Sequence, residues 1–393
     1  MNLMSQSIRG SAAGELILTN ARIVTADAVV EGSVVVRDGI IAEVDERRST
    51  TAAALDLEGD YLLPGLVELH TDNLERHIAP RPGVFWPPDS AVLAHDAEIA
   101  AAGITTVLDA LRLGALRDPP SEFVARIGEI AGAVRAAGDS GQTRAEHLFH
   151  IRCEISGGDV VRALTPFLDN PHLRLISVMD HTPGQRQFVN LDKYKEYFAG
   201  KYGMGDVAFQ QFFDAALAAQ ERYAEPNRRT IVGLCRERDV PLASHDDATP
   251  AHVEEAVADG AVIAEFPTTV EAAGLARDKA LNVLMGAPNV VRGGSHSGNV
   301  SALDLARGGM LDILSSDYIP SSLMRAAFRI AQDIEGIELP EAVAVVTLKP
   351  AHAVGLHDRG EIAVGKRADL VWVHDAGGLP VVRSVWREGR RVI

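Results

Sequence analysis

Six side chains of metal-ligating type stand at the ends of apolar runs in this sequence. His70 and Asp72 close PGLVELHTD two residues apart, so on an extended strand both point to one face. Glu154 closes HIRCE, His181 closes SVMDH, His245 closes LASH and Asp317 closes ILSSD. A single His-x-Asp carries little weight. Six imidazole and carboxylate donors brought to one place suit two divalent ions, zinc first, with manganese or iron as alternatives. Without ions, so many gathered charges would be expensive to bury. The chemistry such a pair supplies is hydrolysis, through water activation and stabilisation of developing negative charge.

A second group is suited to holding an anion. The segment NVVRGGSHSGN sets Arg292, Ser295, His296, Ser297 and Asn299 around consecutive glycines, whose backbone N–H groups can approach a phosphate. It is not a nucleophile elbow, because His296 stands where G-x-S-x-G needs serine, and it lacks the Gly-Lys-Ser ending of a Walker loop. His77 and Arg81 after the first run, and Arg186 after the fourth, are further candidates for a substrate phosphate. Asp246 can orient a water, and Asp247 is placed to cap a helix starting at Thr249-Pro250. His95, His147, His150, His172, His252, His352, His357 and His374 have no placement that sets them apart and read as structural.

Convergence of such scattered residues needs a scaffold. Eight runs qualify as strands: Leu62–Asp72, Ile104–Asp109, Leu148–Glu154, Leu173–His181, Leu242–His245, Val262–Glu265, Asn282–Met285 and Leu311–Asp317. They alternate with stretches of helical period at Ser90–Ala102, Ser121–Ala137, Thr249–Asp259 and Val270–Ala280. This α/β pattern predicts a TIM-type (β/α)8 barrel over residues 61–354, with its chemistry at the C-terminal strand ends. No G-x-G-x-x-G follows the first strand, which argues against a doubly wound dinucleotide fold. Glu15–Val44 and Gly360–Ile393 read as β-hairpins too small to hold a core separately. Residues 15–60 and 355–393 are therefore expected to meet as one β-sandwich, with 1–14 as a tail. Residues 182–234 form a helical insertion, either a lid over the barrel or a homo-oligomer contact.

Composition removes whole classes of function. A net charge of -16 excludes a non-specific nucleic-acid binder. Apolar runs stop well short of the roughly 18 residues of a membrane span. Two cysteines, Cys153 and Cys235, fit a reducing compartment, so a cytoplasmic protein acting on a phosphorylated small molecule is expected.

The Pro-Gly entry to the first run, the His-x-Asp, GITTVLDA, the final Asp and the split end domain together resemble the amidohydrolase superfamily. More narrowly, LPGLVELHTDNLERHIAPRPGVFWP, HIRCEIS, MDHTPGQRQF, SHDDAT, AEFPTT, MGAPNVVRGGSHSGNVSA and ILSSDY resemble its phosphonate-catabolism branch, from Leu16 to the C-terminus. The resemblance implies metal-dependent hydrolysis of α-D-ribose 1-methylphosphonate 5-triphosphate to the 5-phosphate and pyrophosphate. It also implies attack at the α-phosphorus, Asp317 as general base, and a functional link to other enzymes of the carbon–phosphorus lyase pathway. The chain departs from the wider superfamily at Asp72, where a second histidine is usual. None of its six lysines stands at a strand end, so Glu154 replaces a carboxylated lysine as the expected metal bridge. The branch of the superfamily that uses a third-strand Glu often has histidine at the position of Glu265, which makes Glu265 a rival to His181 as ligand; Asp180, as an orienting neighbour, favours His181. The superfamily also includes hydrolases of cyclic amides and of N-acetyl sugar phosphates, the alternative activity. A non-catalytic scaffold is the third reading, against which the intact donor set speaks.

Overall fold

The computed structural model describes residues 14–114, 122–186, 191, 194, 195, 205–295 and 298–393. The expected tail, His296, Ser297 and most of 187–204 lie outside the described residues. Eight parallel strands pair in chain order: Leu66–Thr71, Ile104–Leu113, Glu146–Glu154, Leu173–Met179, Leu242–His245, Ile263–Glu265, Asn282–Gly286 and Ile313–Ser315. The seam between the first and eighth strands closes through backbone hydrogen bonds. Asp72 N–H donates to the Asp317 carbonyl at 2.7 Å, and Asp317 N–H donates to the His70 carbonyl at 3.0 Å. The barrel is thus closed by the backbone of three candidate ligands.

Side-chain alternation along each strand sets the interior in layers. Val67, Leu108, Leu148, Leu175, Ala243, Ile263, Leu284 and Ile313, one from each strand, form an apolar floor. Two residues further on come His150, Ser177, His245, Glu265 and Ser315, and a step beyond them Arg112, Arg152 and Asp317. The inner face therefore changes from apolar to charged over two layers.

The run Leu62–Asp72 is two strands rather than the single one expected. Tyr61–Pro64 pairs with the terminal strands Leu16–Val24 and Leu370–Asp375, while Leu66–Thr71 opens the barrel. Gly65 allows the break, since a Cβ there would lie 2.2 Å from Thr105 Oγ1. Both chain ends share one mixed sheet, in the order Arg390–Arg391, Pro380–Arg387, Leu370–Asp375, Tyr61–Pro64, Leu16–Val24, Val29–Arg37, Ile40–Asp45. It curls back on itself, with Ile41 N–H donating to the Lys366 carbonyl and Ala368 N–H to that of Gly39, both at 2.8 Å. Leu18, Val34, Ile41, Leu62, Leu370 and Trp386 fill its core, so neither chain end closes it alone.

Helices Pro88–Ala101, Ile127–Asp139, Pro250–Asp259 and Val270–Asp278 follow their strands as the periodicity predicts. The cap of Pro250–Asp259 is Thr249, whose hydroxyl accepts the His252 N–H. Asp247, expected in that role, instead takes hydrogen bonds from Arg186 and Ser244. The described part of the insertion is dominated by one helix, Asp206–Arg238. Among the described residues no helix is long and apolar enough to cross a membrane.

Candidate metal centre and active site

The structure brings the six strand-end donors into one chain of contacts, with Glu265 and Asp246 as links. Fully buried Glu265 holds two imidazoles, accepting from His70 Nδ1 at 2.6 Å and His245 Nδ1 at 2.7 Å. The two rings stack with centroids 5.9 Å apart. With Nδ1 engaged, each ring turns Nε2 toward acid: His70 Nε2 lies 4.0 Å from Asp72 Oδ1, and His245 Nε2 lies 3.5 Å from Asp246 Oδ2. His181 Nε2 approaches Asp246 from the other side at 3.7 Å, while its Nδ1 lies 2.7 Å from Glu154. His181 is therefore oriented by Glu154, not by the neighbouring Asp180, whose carboxylate accepts from Thr182. Three groups result, each with ligand atoms mutually within 4.8 Å: His70, Asp72 and Asp317; His70, His245 and Glu265; His181, His245 and Asp246.

Electrostatics follow from this crowding. Burial first, and then the charge of Asp72, push the Asp317 carboxyl up to about 6. Burial would also raise Asp72, but Arg152, His70 and Arg112 bring it below its ordinary value. Glu265 is likewise held well below the usual carboxylate range by His70 and His150, against the effect of burial. The backbone is bent where the strands end, with positive φ at Asp246 (57°), Phe266 (55°) and Asp317 (56°). Left-handed conformations in non-glycine residues concentrate at functional sites, where they re-aim side chains.

The expected phosphate contacts fare unevenly. Arg186 is buried and spends its guanidinium on Asp247 and Glu255, clamping the loop after the fourth strand to the one after the fifth. His77 Nε2 donates to Glu98 at 2.9 Å, and Arg81 pairs through its backbone with Val84. Arg292 ends the short helix Ala287–Arg292, exposed, and among the described residues it has no hydrogen bond or ion pair with the cluster. Asn299 lies in the segment that returns to Thr268, where Val300 N–H donates to the Thr268 carbonyl. Sequence reasoning passed over Glu68, Arg112 and Arg152. Glu68 accepts from the backbone N–H groups of His70 and Ser316, both at 2.6 Å, and from the Ser315 hydroxyl, tying the closing seam together. Burial raises its carboxyl above the ordinary value. The signal for Arg112 and Arg152 was the inward register, which emerges only when strand ends are known to the residue.

A second histidine–carboxylate cluster lies outside the barrel wall. Asp109 accepts from His95 Nε2 at 2.8 Å and His147 Nδ1 at 2.9 Å, and His147 Nε2 reaches Asp96 at 3.3 Å. Asn73 Nδ2 supplies His95 Nδ1 at 3.1 Å. These four acid and imidazole residues are all buried. His150 is also structural, with Nδ1 on the Leu69 carbonyl and Nε2 on Ser177, both at 3.0 Å, and burial lowers its pKa to about 3.

Residues 209–392 match the family model for the amidohydrolase family. A diphosphatase of Escherichia coli, named for α-D-ribose 1-methylphosphonate 5-triphosphate, is 49% identical over 96% of this chain and 100% of its own length. The chain belongs to the amidohydrolase family. Imidazolonepropionase of Deinococcus deserti is 25% identical over 92% of each chain. The solved N-acetylglucosamine-6-phosphate deacetylase of Pasteurella multocida shares the fold, with a TM-score of 0.63 over 96% of this chain and 99% of that one at 15% identity. Amidohydrolases are typically metal-dependent, and this one carries candidate metal-binding groups at its barrel mouth.

Proposed function

We propose that this amidohydrolase hydrolyses α-D-ribose 1-methylphosphonate 5-triphosphate to the 5-phosphate and pyrophosphate, as its full-length Escherichia coli relative is named to do. The observation that carries the reading is the fixed pair His70 and His245. Glu265 occupies both Nδ1 atoms, and neither Nε2 is hydrogen-bonded among the described residues although both face carboxylates. That arrangement fits divalent ions, which take imidazole Nε2 when a carboxylate holds the other nitrogen. His70, Asp72, His181, His245 and Asp317 would hold two of them, zinc by preference; Glu154, which lies on His181 Nδ1, would join them as the sixth ligand, and Glu265 is the shared orienting group. Ions bound there lower the pKa of water and offset phosphate charge.

The remaining work falls to the protein. Asp317, beside Asp72 at the seam of the barrel, would take the proton of the attacking water and pass it on. Attack at the α-phosphorus expels pyrophosphate. The substrate is thus a phosphorylated small molecule, delivered by and passed to other reactions of phosphonate breakdown. The test uses full-length protein with added zinc and phosphorus NMR in ¹⁸O-labelled water. Pyrophosphate and 5-phosphate should form, with label in the 5-phosphate. Turnover of N-acetylglucosamine 6-phosphate or dihydroorotate in place of the triphosphate would favour the alternative C–N hydrolase reading.

A further inference from the structure

Two arginines stand side by side at the mouth, and neither belongs to the candidate metal set. Arg112 on the second strand and Arg152 on the third are direct partners in the parallel register. Backbones of paired strands lie roughly 4.8 Å apart, so the side chains leave the sheet as neighbours on one face. Arg152 donates to Asp72 Oδ1 at 2.7 Å, which places its guanidinium against the candidate metal cluster. Its Nε is buried without a hydrogen-bond partner, and so is that of Arg112. Beyond this, Arg112 forms no hydrogen bond or ion pair among the described residues. Asp72 is thus the only carboxylate in contact with either guanidinium, among the described residues, and only Arg152 touches it.

That imbalance is physically unusual. Two guanidinium groups in register repel each other, and a buried donor without an acceptor is destabilising. Elsewhere this chain neutralises its buried arginines generously: Arg186 meets Asp247 and Glu255, and Arg367 meets Glu146 and Asp369. With a net charge of -16, acids were available to do the same at Arg112. A negative group that arrives with the substrate would complete the pair. Guanidinium groups bind phosphate oxygens through parallel N–H donors, and two of them side by side match a ligand with oxygens on two linked phosphorus atoms.

We propose that Arg112 and Arg152 bind the diphosphate portion of the substrate, the part that leaves as pyrophosphate. The assignment rests on the triphosphate reading above and gives the anion-holding role to the barrel wall beside Asp72. Arg152, tied to both Asp72 and the anion, couples the position of the leaving group to the metal cluster. Arg112 reaches Asp72 only through its charge and offers its hydrogen bonds to the anion.

Calorimetric titration of pyrophosphate into the zinc-supplemented full-length protein tests this. Arg112→Gln should weaken pyrophosphate binding by roughly 10- to 100-fold, the loss of charge-assisted hydrogen bonds. Its zinc content should match wild type, its thermal unfolding should come at no lower temperature, since a buried unpaired donor is removed, and the KM for the triphosphate should rise. Arg112→Lys, which keeps the charge but not the fork, should fall between the two and serves if the glutamine variant fails to fold. Pyrophosphate binding unchanged in either folded variant overturns the proposal. The two readings fail separately. An inactive wild type whose pyrophosphate binding still depends on Arg112 refutes the reaction and supports the anion site. An active wild type whose pyrophosphate binding ignores Arg112 refutes the anion site and leaves the reaction standing.

Discussion

The barrel mouth and the outer wall each hold a buried cluster of histidines and carboxylates, and they differ in what their ring nitrogens do. In the outer cluster all four nitrogens of His95 and His147 have partners, supplied by Asp109, Asp96 and Asn73. Its charges balance internally, with Arg144 on Asp96 at 3.0 Å. At the mouth, Glu265 satisfies one nitrogen of His70 and of His245 and leaves the other facing acid without a hydrogen bond. The residue types are the same in both places. What separates a site that awaits a ligand from one that braces a wall is the set of unfilled atoms.

This difference can be attacked by substitution. The largest effect is expected from Asp317→Asn, which should lower the rate of pyrophosphate release by roughly 10²- to 10⁴-fold if the carboxylate is the general base. Asparagine tolerates the left-handed backbone of position 317 (φ 56°), so circular dichroism should show an unchanged fold. A near-normal rate would remove Asp317 from the chemistry.

In the outer cluster the effect should be on stability and should depend on pH. Burial lowers the His147 pKa, but Asp109 and Asp96 outweigh it and raise it from 6.5 to about 9. A folded-state value above the unfolded one means the stabilisation is complete below pH 6.5 and is lost as pH rises through about 9. The shift corresponds to about 3 kcal/mol, counted once for the His147–Asp109 pair. Urea unfolding of wild type should show this decline between about pH 6.5 and 9, and His147→Gln should flatten it. An identical slope in both proteins would mean His147 is not the group responsible.

Glu265→Gln tests the shared orienting role. It should weaken zinc binding by roughly 10- to 100-fold while the protein stays folded, as loss of a carboxylate behind a histidine ligand does. Smallest of all should be Asn73→Ala. Asn73 bridges the two clusters in sequence, next to Asp72, and its side chain serves His95 and Glu98. A loss of about 1 kcal/mol in unfolding free energy, with zinc content unchanged, is expected from one hydrogen-bonded group. Zinc loss in that variant would show that the clusters act as one system.

Much of this was readable in the amino acids because strand ends announce themselves. Apolar runs ending in His, Asp or Glu located the barrel and pointed to its mouth, where five of the six expected ligands, all but Glu154, fall in groups with ligand atoms close together. Run lengths were less legible. The second strand continues to Leu113, past the Asp109 at which its apolar pattern stops, and Arg112 is carried into the mouth by that extension. Asp109 itself faces the helical layer, because alternation around Leu108 puts it on the outer side. The roles of Arg186 and Asp247 were set by contact between two loops far apart in sequence, which no local pattern encodes. Asp180 was favoured as the partner of His181 for its adjacency, but neighbours on a chain often point apart, and Glu154 on the next strand is the one in reach.

The central claim is that unfilled imidazole nitrogens, and not imidazole–carboxylate clustering as such, mark the metal centre. Elemental analysis of full-length protein after zinc loading and dialysis tests it most directly, comparing wild type with the His70→Ala/His245→Ala double variant and with His95→Gln. Roughly two equivalents of zinc are predicted for wild type and His95→Gln, and a clear deficit for the double variant. Full zinc content in the folded double variant, or its loss in a folded His95→Gln protein, would contradict the account.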